Sequence, residues 1–67
     1  MKANRKRLEL AMARACILPE ALARAAEMPR ATLNNVIKGC SVRPATLGRV
    51  ARALGVDVTE LMEEENV

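Results

Sequence analysis

The stretch PEALARAAEMPRATLNNVIKG, residues 19–39, carries two prolines ten residues apart, and they limit what this chain can fold into. Proline fixes its own φ, lacks an N–H and disfavours helical geometry in the residue before it. A single helix running through Met28 and Pro29 is therefore not expected. Each proline instead suits the first turn of a new helix, where an N–H would have no intrahelical partner. Leu22, Ala23 and Ala26 follow Pro19 at helical spacing, and Leu33, Val36 and Ile37 follow Pro29 in the same way. The prediction is two short amphipathic helices joined by a tight turn.

The rest of the chain is punctuated similarly. A first helix is predicted from about Asn4 to Ala15, with Leu8, Ala11, Met12 and Ala15 on one stripe and Leu10 on the opposite face. The third helix should start near Pro29 or Arg30 and stop at Gly39, which can take a left-handed cap. After the loop CSVRP, Pro44 opens a fourth helix with Leu47, Val50, Ala51 and Leu54 inward, closed by Gly55. The run Asp57-Val-Thr-Glu60 has capping-box spacing, Asp57 as acceptor and Glu60 reaching back. A short last helix should follow, with Val58, Leu61 and Met62 inward, and residues 63–67 should fray as an acidic tail. The chain lacks strand-like alternation and internal repeats. The expected fold is all-α, a compact bundle of five short helices forming one domain over residues 1–67. Its predicted core is Leu8, Met12, Leu22, Ala23, Leu33, Val36, Leu47, Val50, Leu54, Val58 and Leu61.

With 67 residues, one small core is all the chain can build. Cys16 and Cys40 have no CxxC spacing and there is no histidine, so neither a metal site nor a disulfide is expected. Isolated thiols and no signal-peptide pattern fit a reducing cytoplasm. No apolar run is long enough to span a membrane. With no histidine, no tyrosine and one serine, an enzyme or a bound cofactor is not expected either. Aromatic residues are absent, which removes stacking on splayed single-stranded bases. Residues 1–56 hold eleven Lys and Arg against three Glu, a charge of +8, whereas residues 57–67 carry five acids and −5. Such a body calls for a polyanionic partner.

On a helical wheel, Thr32, Leu33, Val36 and Ile37 fall within an arc of about 140°. Arg30, Ala31, Asn34, Asn35 and Lys38 occupy the other side. A solvated surface accounts for many such faces, but two features set this one apart. Two adjacent asparagines weaken a helix interior, where Glu, Lys or Gln would not. The face also holds no acid, where solvated faces usually mix signs. Arginine pairs with guanine and asparagine with adenine, each through two hydrogen bonds in the major groove of a duplex.

Residues 5–62 resemble the Cro and lambda-type repressor (XRE-like) helix-turn-helix family. The resemblance rests on Leu22-Ala23 in the second helix, Leu33 and Val36 in the third, Gly39 after it, and then RPATLGRVARALGVDVTELM. It implies a lambda-repressor-like domain that binds double-stranded DNA and regulates transcription. It also implies base reading by Arg30, Ala31, Asn34 and Asn35, with Pro29 and Thr32 at the margin. Phosphate contacts are implied for Lys38, Val42, Arg43 and Ala45, partly through backbone N–H groups, and for Lys2 and Arg5 ahead of or at the first helix. A homodimer is left open; a membrane or a small-molecule substrate is not expected.

The chain departs from the family at three places. Leu18 and Pro19 stand where a polar cap and a phosphate-binding N–H are usual. Glu27 stands at the interhelical turn where glycine is usual. Met12 and Ile37 replace an Arg–Glu pair that many members bury between the first and third helices; an apolar pair of similar volume can do so at no net cost. The altered second-helix start and the acidic tail motivate a second reading, a protein-interaction module such as a small antitoxin or anti-repressor. A basic amphipathic peptide acting on membranes fits less well, because the Gly and Pro punctuation specifies a globule.

Overall fold

A computed structural model describes residues 1–62. Helix α1 spans Arg5–Ala15, α2 Pro19–Ala25, α3 Arg30–Ile37 and α4 Pro44–Leu54. The starts follow local chemistry. Asn4 caps α1, its Oδ1 accepting the Arg7 N–H at 3.0 Å. Proline occupies the first turn of α2 and of α4, and Pro29 sits just before α3 with an extended ψ of 148°. These three helices have no side-chain cap.

All four helices end the same way. Cys16, Glu27, Gly39 and Gly55 take left-handed φ values of 52°, 54°, 83° and 72°. The next residue then reaches back across the turn: Ile17 N–H to Met12 O, Met28 to Ala23, Cys40 to Asn35 and Val56 to Ala51, at 3.0–3.1 Å. This is the Schellman arrangement, which satisfies otherwise orphaned carbonyls. Glycine adopts it without strain, but at Cys16 and Glu27 a Cβ is crowded, at about 1–2 kcal/mol each. The turn between α2 and α3 thus keeps the left-handed geometry although its residue is Glu27.

The fifth helix is not formed as expected. Residues Val58–Glu60 make a single 3-10 turn. Asp57 Oδ1 accepts from the Thr59 N–H at 2.9 Å and from the Thr59 hydroxyl at 3.0 Å. The Glu60 N–H goes to the Asp57 carbonyl at 3.0 Å, so the cap is one-sided and the reciprocal box does not close. A three-residue turn closes i to i+3 bonds, and the cap that suits it falls two residues on, not three. The expected acidic tail, residues 63–67, lies outside the described residues.

The core joins α1, α2, α3 and α4 with the last turn. Leu8, Leu22, Leu33, Leu47, Leu61, Val36 and Val50 are fully buried. Each contributes about 1.5–3 kcal/mol relative to exposure. Helix α4 packs on α1, α2 and the 3-10 turn, while α2 packs on α3. Ala11, Ala23, Ala26, Ala51 and Leu54 complete the centre. Two expected core members are corrected: Met12 and Val58 are only partly buried, packing on the edge of the cluster with Ile37. Ala15, expected on the buried stripe, is exposed in the last turn of α1, where the chain swings away at Cys16.

Residues 1–4 behave in a way that periodicity did not indicate. Ala3 is buried and forms an isolated antiparallel bridge with Met62. The Asn4 N–H donates to Leu61 O at 2.6 Å. On the other side, the Val42 N–H donates to Met1 O at 2.7 Å and the Met1 nitrogen donates to Val42 O at 3.0 Å. The segment therefore ties the α3–α4 loop to the residues after the final turn.

Candidate nucleic-acid interface

The wheel for α3 separates as its sequence implies. Leu33 and Val36 are buried and Thr32 and Ile37 half-buried, while Arg30, Ala31, Asn35 and Lys38 are exposed and Asn34 is half-buried. Burial of Leu33 and Val36 against the body sets the rotation of α3 and turns its polar arc outward.

The helix N-termini add donors. The first intrahelical bond of α3 is from Leu33 N–H to Pro29 O, and the N–H groups of Arg30, Ala31 and Thr32 have no acceptor among the described residues. Helix α3 also has no acid in its first turn. At α4, Pro44 has no N–H, Thr46 and Leu47 donate to Arg43 O, and the Ala45 N–H is open. Open N–H groups and the helix dipole favour negative charge at both ends.

Between these two N-termini lies an open hollow lined by Thr32, Asn35, Ser41, Val42, Arg43 and Thr46. It gathers four of the expected site residues from α3 and the loop. Ala45 lies at its edge by sequence, and Lys2 follows Met1, whose backbone pairs with Val42. Lys38 is the exposed C-cap of α3. Arg5 is not part of this hollow; it lies on α1 with Glu9 at 3.8 Å, an exposed pair one turn apart. The Val42 N–H, expected as a phosphate donor, is already bonded to Met1 O, whereas the Ala45 N–H in the first turn of α4 has no acceptor among the described residues. Ser41 and Thr46 line the hollow without having been singled out by sequence; their hydroxyls, following an exposed loop and a Pro-started helix, were the available signal.

Arg30 is the most constrained member. Its Nε donates to Asn34 Oδ1 at 3.1 Å, one turn along the same helix. Its Nη1 lies 4.0 Å from Glu20 Oε1 on α2. The outer arc of α3 has no acid of its own, yet the tertiary fold brings one to it. Arg43, Lys38 and Lys2 have no carboxylate partner among the described residues.

At the start of α2 the structure matches the departure read from sequence. Leu18 is 75% exposed and makes no side-chain cap, and Pro19 removes one N–H. No helix is long and apolar enough to cross a membrane among the described residues.

Two short helices joined by a left-handed turn, the second presenting a polar, acid-free arc beside a basic loop, define a helix-turn-helix DNA-binding domain. The chain belongs to the Cro/C1-type helix-turn-helix DNA-binding family, whose model matches residues 7–65. Its function is accordingly DNA binding in transcription regulation. No curated protein and no solved structure matches the chain significantly.

Proposed function

We propose that this protein binds double-stranded DNA sequence-specifically and regulates transcription in the manner of a phage or mobile-element repressor, acting in the cytoplasm. Helix α3, about 10–12 Å in diameter with its side chains, enters the major groove, whose width is similar. Arg30, Ala31 and Asn35 face base edges, with Asn34 beside Arg30 and Thr32 at the margin. Arg43, Lys38 and the open Ala45 N–H take phosphates, Lys2 and Arg5 add charge along the backbone, and Val42 holds the loop in place. The observation that carries this reading is the hollow of Thr32, Asn35, Ser41, Val42, Arg43 and Thr46, which sets an asparagine on α3 next to an open helix N-terminus and an arginine with no carboxylate partner among the described residues. One side of it suits a base edge and the other a phosphate.

Selection from a random duplex pool, followed by a salt titration on the preferred and a scrambled duplex, tests the reading. A single enriched sequence and a steep fall in affinity with salt are expected. Salt-dependent binding without enrichment would reduce the function to nonspecific coating.

A second reading, an interaction module of the antitoxin or anti-repressor kind, has one observation in its favour. Leu18 is 75% exposed at the uncapped start of α2, where an apolar partner has more to gain than a phosphate. No detectable duplex binding at low salt would make that reading the leading one.

A further inference from the structure

Glu20 belongs to α2, yet its carboxylate reaches the arginine that opens α3. A guanidinium has five N–H groups fixed in one plane. Asn34 accepts the one on Nε, and Glu20 faces Nη1. Three N–H groups remain, on Nη1 and Nη2. They form the end of the fork, which suits the paired acceptors of guanine. Arg30 is thus approached from two directions, by an amide one turn along its own helix and by a carboxylate from the helix before it.

The carboxylate has a second effect. A free guanidinium is drawn to any phosphate, and that attraction carries no sequence information. Glu20 repels phosphate oxygens and competes with them for Arg30. The arginine then gains less from the backbone and stays over the arc that faces the bases. Resting on the assignment of α3 as the base-reading helix, we propose that Glu20 is a specificity-determining positioning residue. It weakens binding to duplex DNA in general and sharpens discrimination at the base that Arg30 faces. Helix α2 therefore takes part in base selection as well as in placing the domain. The side chains of Glu20 and Arg30 are 83% and 47% exposed, so the pair adds little to stability and its substitution leaves the fold intact.

The test compares wild type with Glu20→Gln, Glu20→Asp and, as a charge control, Glu9→Gln on α1. Each is measured by selection from a random duplex pool and by salt titration on a random duplex, with circular dichroism to follow folding. Glu20→Gln should bind random duplex a few-fold more tightly, with a salt slope steeper by up to about one unit. Its preference at one base position should flatten by about three- to tenfold. Glu20→Asp keeps the charge but shortens the reach, so preference should fall while random-duplex affinity stays near wild type. Glu9→Gln should tighten random binding and leave the preference profile alone. An unchanged profile in both Glu20 variants, or equal flattening in Glu9→Gln, would overturn the proposal. A wild type that selects no sequence would instead overturn the base-reading assignment beneath it.

Discussion

Ala3 lies against Met62 in an antiparallel bridge, 2% exposed, with the adjoining Asn4 N–H bonded to Leu61 O at 2.6 Å. Ala3 is part of the buried cluster, so a larger side chain there has to displace its neighbours. Ala3→Leu should overpack the site and lower stability by about 1–3 kcal/mol. For a domain this small, each kcal/mol corresponds to a fall in Tm of about 4–8 °C. Thermal unfolding followed by circular dichroism measures it, and an unchanged Tm would mean that the bridge does not persist in solution.

Cys16 and Glu27 hold the left-handed conformation that Gly39 and Gly55 hold elsewhere. Glycine removes the Cβ crowding, which is worth about 1–2 kcal/mol, but it also loosens the unfolded chain. Cys16→Gly and Glu27→Gly should each stabilise by about 0.5–1 kcal/mol net. The two sites end different helices, so the double variant should show the sum. Denaturant midpoints at constant m-value give the comparison.

Arg43 has no carboxylate partner among the described residues and lines the hollow beside the α4 N-terminus. Arg43→Ala should weaken binding to preferred and random duplexes alike. The salt slope should fall by about one unit, as expected for one lost phosphate contact. A change confined to a single base position would contradict that role.

Asn35 is exposed, uncharged and borders the same hollow. Asn35→Ala should flatten preference at one or two base positions, a loss of about 1–3 kcal/mol of discrimination. Its random-duplex affinity should barely move. Arg30→Ala should flatten a different position and also weaken random binding. Neither side chain belongs to the core, so both variants should keep the wild-type circular dichroism. Unchanged selection profiles in both would return α3 to an ordinary solvated face.

The Asp57 carboxyl is more acidic than an ordinary aspartate. The Thr59 backbone N–H, then the Thr59 hydroxyl, hold its carboxylate below the ordinary value, against the opposing effect of desolvation. A depressed value in the folded state means that the stabilisation is present above the unfolded value of about 3.9. It is lost as pH falls through the lower folded value. Asp57→Asn keeps an acceptor but does not titrate, so its stability should change less than wild type between about pH 5 and pH 2. Parallel stability curves for the two proteins would show that the cap contributes nothing.

Helix boundaries were largely determined by sequence, because each depends on a restriction that acts within a few residues. Pro19 and Pro44 fix φ in their own turns, and Asn4 reaches only as far as the Arg7 N–H. The buried side of α3 followed from the spacing of Leu33 and Val36, since helical periodicity puts them on one side in any surroundings. The final turn was less determined. Asp57 announced a cap, but whether an α-helix or one 3-10 turn follows depends on how Leu61 meets the core.

Only the tertiary structure decided which distant groups meet. Glu20 and Arg30 are ten residues apart on different helices, and the left-handed turn at Glu27 brings them within 4.0 Å. Met1 and Val42 pair across forty-one residues, which occupies a backbone donor that the sequence left available for phosphate. Ala3 reads as an unremarkable terminal residue until Met62 lies beside it. Local restrictions on φ, ψ and side-chain direction propagate over one or two turns. The meeting of Glu20 with Arg30, or of Met1 with Val42, depends instead on how the helices pack around their common core, and that is set by burial of the whole cluster at once.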